Sequence, residues 1–243
     1  MDPCLVADGM VRSVGPEQAE AVEAILPPMC AAAVEVGEHQ GRKELRLPGT
    51  RAGRGCSVDY AKLVLRGLGD MPLIRACGPV SGLLIDSTFG LGNDSWFLAA
   101  VGWQVCGIER CGAVAEVAAD ALHRARGIPK LARVAGRIDL RCGDSIQLLR
   151  SRPEPTTVLV DPMYPRKKGS ALGPLAIRLV REAVGDDDDA AALFAAAADT
   201  GARRVVVKRP HGAAPLGGEP DLVFEGKLAR FDVYLKAGAL RKR

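Results

Sequence analysis

The sequence is poor in aromatic residues: Phe, Trp and Tyr make up 4% of its 243 residues, although 48% are apolar. Its core must therefore be built from Ala, Val, Leu and Gly, which suits helices packed closely on a buried parallel sheet. Close-spaced soft metal ligands are also missing. The 7 cysteines (Cys4, Cys30, Cys56, Cys77, Cys106, Cys111, Cys142) contain no Cys-x-x-Cys pair, and the 3 histidines (His39, His123, His211) lie far apart. No metal site is expected, and the cysteines read as small buried thiols of a reducing compartment. No apolar run is long enough to span a bilayer. Asp2, Glu17, Glu20 and Glu23 leave the amino terminus unlike a signal or transit peptide. A cytoplasmic protein without a membrane partner is expected, an organelle staying open if the source is eukaryotic. No repeat stands out.

What the chain does have is clustered positive charge. The net charge is only +4, but Arg42, Lys43, Arg46, Arg51 and Arg54 form one group, Arg166, Lys167 and Lys168 a second, and Arg203, Arg204, Lys208 and Arg209 a third. The chain ends Arg241-Lys242-Arg243, and one acidic run, Asp186 to Asp189, stands against these cations. Charge runs are commonly solvated surface. Several clusters around one site instead suit phosphate neutralisation by a nucleic-acid-binding protein.

Hydrophobic periodicity divides the chain into a weakly patterned start and a regular remainder. Residues 1–45 offer a helix from Glu17 to about Leu26 and a strand near Glu44–Leu47. Gly49 to Gly55 is loop by composition, and Val58, Ala61, Leu65 and Leu68 have helical spacing. From Gly82 onward strands and helices alternate. Strands are expected at Leu83–Ile85, Gln104–Ile108, Ile138–Cys142, Thr157–Val160 and Val205–Val207, with helices near Asn93–Val101, Ala113–Arg126, Leu175–Val184 and Ala190–Ala198. Leu222–Glu225 and Phe231–Leu235 can pair as a terminal antiparallel hairpin. This is an α/β pattern, a doubly wound, mostly parallel sheet. Such sheets bind ligands beyond the carboxyl ends of their strands.

Polar residues fall at those ends. Asp86 closes the first strand before Gly90-Leu91-Gly92-Asn93-Asp94, where the glycines allow a sharp turn and close approach to a ligand. A pyrophosphate would be repelled by Asp86, whereas a ligand carrying an ammonium and a sulfonium would be attracted. S-adenosylmethionine carries both. Glu109 ends the second strand, where an acid can accept both ribose hydroxyls. Asp144-Ser145 follows the third strand and can hydrogen-bond an adenine amino group. Three helix-capping acids around a structural turn are the plainer reading.

The fourth strand runs into Asp161-Pro162-Met163-Tyr164-Pro165, which resembles the Asp/Asn-Pro-Pro-Tyr/Phe box of amino-group methyltransferases. An exocyclic amine on a base shares its lone pair with the ring and is a poor nucleophile. A carboxylate that accepts one of its hydrogens restores density on nitrogen. Pro162 fixes the backbone, and Tyr164 can stack on the base and hold it in line with the methyl donor. Arg166, Lys167 and Lys168, with Lys208 and Arg209 at the end of the fifth strand, can grip phosphates beside an extruded nucleotide. Trp96, Trp103, Phe231 and Tyr234 read as packing.

These segments together are similar to the RsmJ family, the guanine-N2 methyltransferases of small-subunit 16S ribosomal RNA. The resemblance is carried by Asp86 to Asp94, Ile108-Glu109-Arg110, Asp161 to Leu172, Val205 to Pro210 and Arg230 to Tyr234, and runs from about Arg51 to Lys236. It implies a Rossmann-like class I methyltransferase domain at 57–243 preceded by an extension at 1–56, a candidate substrate-binding element whose first 45 residues match poorly. It implies S-adenosylmethionine as cofactor, S-adenosylhomocysteine as product, and small-subunit ribosomal RNA or the assembled small subunit as partner, the oligomeric state staying open. Family cofactor contacts fall on Asn93, Asp94, Glu109, Arg110, Asp144, Ser145 and Asp161. Asn93 stands where the family often has Arg, and Asp144 where it has Ser. The family's Gly-Arg-Gly appears as Gly53-Arg54-Gly55, adding Arg54 to the substrate contacts. An amino methyltransferase with another nucleic-acid or protein substrate, and a non-catalytic RNA-binding assembly factor of the same fold, remain as alternatives. A nicotinamide dehydrogenase is disfavoured by Asp86, by Ser95 and by the lack of a hydride-site histidine.

Overall fold

The computed structural model describes residues 33–63, 65–151, 155–163, 174–185 and 188–236. The helix expected at Glu17–Leu26 lies outside these residues, as do Tyr164, Arg166, Lys167, Lys168 and the basic tail. Strands β1 (Glu35–His39) and β2 (Arg42–Arg46) form an antiparallel hairpin. A single-turn helix α1 (Pro72–Cys77) leads into the main sheet. There follow β3 (Leu83–Asp86), α2 (Asn93–Val101), β4 (Gln104–Glu109), α3 (Gly112–Arg126), α4 (Pro129–Ala135), β5 (Ile138–Cys142), α5 (Ser145–Arg150), β6 (Thr157–Val160), α6 (Leu175–Val184), α7 (Ala190–Asp199), β7 (Arg204–Arg209), β8 (Leu222–Glu225) and β9 (Arg230–Leu235).

The seven-stranded sheet has the order β5-β4-β3-β6-β7-β9-β8. Its first five strands are parallel, while β9 runs antiparallel to both β7 and β8. Strand order reverses at β3, which lies between β4 and β6, so the ligand crevice of a doubly wound sheet belongs at the carboxyl ends of these three strands. Successive strand residues point to opposite faces. Leu84, Val105, Leu159 and Val206 pack on one side with α1 to α4, whereas Ile85, Cys106, Val158, Val205 and Val207 pack on the other with α5 and α7. Burial on both faces explains the continuous apolar runs. Ala115, Ala118, Ala121 and Ala125 let α3 lie close to its neighbours, as the scarcity of aromatics requires. Trp96 and Trp103 are fully buried, and Phe231 joins the same core.

Three departures from the sequence reading are instructive. The helix expected through Val58–Leu68 is replaced by two 3-10 turns, Tyr60–Lys62 and Leu68–Asp70. Ala61 and Leu65 are exposed while Val58 and Tyr60 are buried, so the helical spacing never forms one apolar face. Helices α1, α4 and α5 were not foreseen. At six to seven residues each, they are too short to display a periodic stripe. Finally, Cys56, Cys77 and Cys142 carry free thiols, but Cys111 is disulfide-bonded.

Candidate active site

The turn from β3 to α2 is stitched to both neighbouring strands. Ser87 donates to the Leu159 carbonyl of β6 through its backbone N–H and its hydroxyl, at 2.9 and 2.8 Å, and the Phe89 N–H donates to the Ile108 carbonyl of β4 at 2.9 Å. Gly92 has φ +74° and lies so close to its surroundings that a Cβ there would fall 2.5 Å from the Phe89 ring and from the Tyr60 hydroxyl. Tyr60 clamps the same turn: its hydroxyl donates to the Leu91 carbonyl at 3.0 Å, and its ring stacks on Trp96 with centroids 4.5 Å apart. Such a ring pair contributes about 0.5–1.5 kcal/mol beyond its buried area.

Beside this turn a cleft, partly open to solvent, lies over the carboxyl ends of β3, β4, β5 and β6. Its polar wall comprises Ser87, Thr88, Gly90, Glu109, Arg110, Asp144, Ser145, Asp161 and Asp189, and its apolar wall Ile108, Ile146, Met163, Val180, Val184 and Leu193. Glu109 is buried and accepts the N–H groups of Gly90 and Cys111, each at 2.8 Å. Asp144 caps α5, accepting from the Ile146 and Gln147 N–H groups at 2.8 and 3.4 Å; such a cap stabilises a helix by about 0.5–2 kcal/mol. The Ser145 hydroxyl donates to the Ser87 carbonyl at 2.5 Å. Arg110 crosses the rim to Asp189 at the start of α7, 3.1 Å away.

Asp161 follows directly on β6. Its N–H donates to the Thr88 hydroxyl at 2.7 Å, joining β6 to the turn after β3, and its carboxylate accepts from Lys208 Nζ at 2.8 Å. Lys208, on β7, also donates to Asp94 on α2 at 2.8 Å. Burial works against the Lys208 charge, but Asp161 and Asp94 hold the ammonium well above the ordinary lysine range. Beneath them Asp86 is sealed, accepting from Ser95 Oγ at 2.6 Å and from the Thr88 N–H at 3.2 Å. Burial raises its pKa to about 7, with Asp94 and Asp161 adding to the effect and the Ser95 hydrogen bond opposing it.

Of the residues expected from sequence to contact the cofactor, Gly90, Glu109, Arg110, Asp144, Ser145 and Asp161 all line this cleft. Gly92, Asn93 and Asp94 do not: Gly92 is packed under Tyr60, Asn93 is exposed on the first turn of α2, and Asp94 is turned to Lys208. Asp86 supports the turn from below instead of facing the cleft. Pro162 is buried next to Asp161. Ser87, Thr88, Ile108, Ile146, Met163, Val180, Val184, Asp189 and Leu193 also line the cleft without being among the expected contacts; Ser87 and Thr88, inside the turn, and Met163, inside the Asp161–Pro165 box, had a local signal.

Among the described residues, several cations expected to grip phosphate are engaged within the protein. Lys208 serves two carboxylates. Arg209 is buried and donates to the Ala214 carbonyl, because β7 is an internal strand whose alternate residues point into packed layers. Arg42 pairs with Asp59, Lys43 with Glu116, and Arg46 with Glu35 and Glu44. Arg51 and Arg54 are exposed, in a loop fixed by the buried Glu44 carboxylate, which accepts the Gly53 N–H at 2.9 and 3.1 Å. Arg54 does not line the cleft.

Residues 59–236 match the family described as "Putative SAM-dependent methyltransferase". A Pseudomonas aeruginosa protein named ribosomal RNA small subunit methyltransferase J is 39% identical over 217 residues, which cover 84% of this chain and 82% of the relative. A protein of the same name from Thioalkalivibrio sulfidiphilus is 41% identical over 171 residues, 68% and 67% of the two chains. This chain belongs to the RsmJ family of S-adenosylmethionine-dependent methyltransferases. A crystal structure of a SAM-dependent methyltransferase from Neisseria gonorrhoeae superposes with a TM-score of 0.64 at 28% identity, covering 93% of this chain and 92% of that one.

S-adenosylmethionine is the cofactor of an RsmJ enzyme, and the donor set of the cleft suits it. Asp161 and Glu109 supply negative charge for a cationic ligand. The Glu109 carboxylate, already anchored by two N–H groups, is placed to accept ribose hydroxyls. Ile108, Ile146 and Leu193 give an apolar wall for a purine, next to the polar Asp144.

Proposed function

We infer that the protein transfers a methyl group from S-adenosylmethionine to the exocyclic N2 amine of a guanosine in small-subunit ribosomal RNA. One observation carries this reading: Asp161 lines the same cleft as Glu109 and is tied by its own N–H to Thr88 of the turn after β3. The residue suited to an amine is thereby held beside the residues suited to the donor, which is the proximity a transfer reaction needs. S-adenosylmethionine supplies the electrophilic methyl group. Asp161 accepts a hydrogen of the amine and so raises the electron density on nitrogen as transfer proceeds. Pro162, buried behind it, fixes the backbone, and Tyr164 is the candidate platform for the base. Gly90, Glu109, Arg110, Asp144 and Ser145 bind the donor in this reading, while Arg54 and Arg51, with Arg166, Lys167 and Lys168, meet the RNA backbone. The extension of residues 1–56 acts in substrate recognition, and the protein works in the cytoplasm.

The test is transfer of labelled methyl from S-adenosylmethionine to purified small subunits, free small-subunit RNA, DNA and protein, followed by mass-spectrometric mapping. N2-methylguanosine at one position of the RNA is expected. Label in DNA or protein alone, or in no substrate, would overturn the assignment.

A further inference from the structure

Lys208 is the feature that its expected role leaves unexplained. A phosphate-gripping lysine should be exposed and mobile, but this ammonium is anchored 2.8 Å from Asp161 and 2.8 Å from Asp94. We propose that Lys208 is a positioning residue for methyl transfer: it keeps the Asp161 carboxylate ionised and in a fixed orientation, and joins it to the helix that begins at the donor-binding turn. The inference rests on reading Asp161 as the acceptor of the amine hydrogen.

Three carboxylates, Asp86, Asp94 and Asp161, crowd the ends of β3 and β6 and the first turn of α2, and Asp94 and Asp161 both raise the cost of ionising Asp86. Asp86 shows the result, since burial and these neighbours hold it close to neutrality. A protonated Asp161 could not accept a hydrogen from an amine. An ammonium in contact lowers a carboxylate's pKa by about one to three units, and Lys208 is the cation that contacts both Asp161 and Asp94. Among the described residues, the other charged groups around the same cleft are Glu109 at the end of β4 and Arg110 after it, Asp144 before α5 and Asp189 before α7, with Arg181 of α6 reaching Met163.

Geometry adds orientation. The Asp161 backbone is held by Thr88, and one of its carboxylate oxygens is held by Lys208, so rotation of the carboxylate is restrained and its second oxygen has a defined direction. Charge-assisted hydrogen bonds are about twice as strong as neutral ones. Because β7 neighbours β6, and α2 springs from β3, the triad Asp94–Lys208–Asp161 spans the point where strand order reverses.

The test compares full-length wild type with Lys208→Met and Lys208→Arg. Two readouts are taken: the pH dependence of methyl transfer to small subunits, and the NMR titration of the Asp161 carboxyl carbon in protein with bound S-adenosylhomocysteine. Lys208→Met should depress kcat far more than it raises KM for RNA, and should move both the acid limb and the Asp161 titration upward by about one to three pH units. Lys208→Arg should restore most of the shift. The salt dependence of RNA affinity should match wild type in both variants. An unmoved titration, or intact kcat with a salt slope lowered by about one, would overturn the proposal, the latter marking Lys208 as a phosphate contact. Should Lys208→Met fail to fold, Asp94→Asn serves in its place: it removes a competing carboxylate, so the Asp161 titration must move downward, and no movement would refute the inference. A wild-type protein inert on every ribosomal substrate would sink the guanosine reading, yet the NMR titration would still decide the role of Lys208.

Discussion

The carboxylate of Glu109 reaches from the end of β4 to the N–H of Gly90, 2.8 Å away, in the turn that follows β3. A residue expected to meet the ribose thus also holds the shape of the turn beneath the donor. Glu109→Ala removes both functions and leaves the Gly90 and Cys111 N–H groups without this acceptor. Affinity for S-adenosylmethionine should fall by about 1–3 kcal/mol. Calorimetric titration checks this, and unchanged affinity would remove Glu109 from the donor site.

Asp161→Asn keeps the size of the side chain and the backbone bond to Thr88 but loses the negative charge. Single-turnover methyl transfer should slow by about 10²–10⁴-fold, while binding of S-adenosylhomocysteine stays close to wild type. Near-normal turnover would show that a neutral acceptor suffices.

Two arginines once grouped as RNA contacts should separate cleanly. Arg209→Ala strips a buried guanidinium from the Ala214 carbonyl and should cost about 1.5–3 kcal/mol in urea unfolding, with no change in the salt dependence of RNA binding. Arg54→Ala, on an exposed loop, should leave stability within about 0.5 kcal/mol and reduce the salt slope by about one. The opposite pattern would return Arg209 to the surface.

Asp86 makes stability depend on pH. Its folded pKa of about 7 exceeds the unfolded value of about 4, so between these limits the folded protein keeps a proton that the unfolded chain has released. Stability from this group is therefore full in acid and is lost as pH climbs towards 7. Relative to wild type, Asp86→Asn should gain stability over that interval, by up to ~4 kcal/mol. Urea unfolding at pH 5 and pH 8 measures the change, and an equal difference at both would contradict it.

The long buried strands and the helices α2, α3, α6 and α7 were legible because their apolar residues repeat over enough positions to show a period. The polar residues at strand ends were legible for a related reason: Asp86, Glu109 and Asp161 each interrupt an apolar run at its carboxyl end, and Asp144 follows β5 at the matching place. What could not be read was direction. Lys208 and Arg209 are adjacent in sequence and both basic, but strand alternation and the internal place of β7 turn them to carboxylates and a carbonyl. The cleft's far wall was equally hidden, since Val180, Val184 and Leu193 look like ordinary core residues of α6 and α7 until the chain folds them over the sheet. The Val58–Leu68 stretch misled because Tyr60 turns into the core to stack on Trp96 and bond the Leu91 carbonyl, contacts that residue spacing does not display.

That stack has a consequence for how the chain can be cut. Tyr60 follows the β1–β2 hairpin in the chain, and its neighbours bind outward: Asp59 accepts from Arg42 and the Val58 carbonyl accepts from Arg124, at 2.7 and 2.6 Å. A fragment starting after Lys62 would retain all the residues of the cleft while losing the ring that seats α2. The hairpin and the sheet are thus mechanically one body, and shortening the protein from its front end should erode donor binding well before any cleft residue is removed.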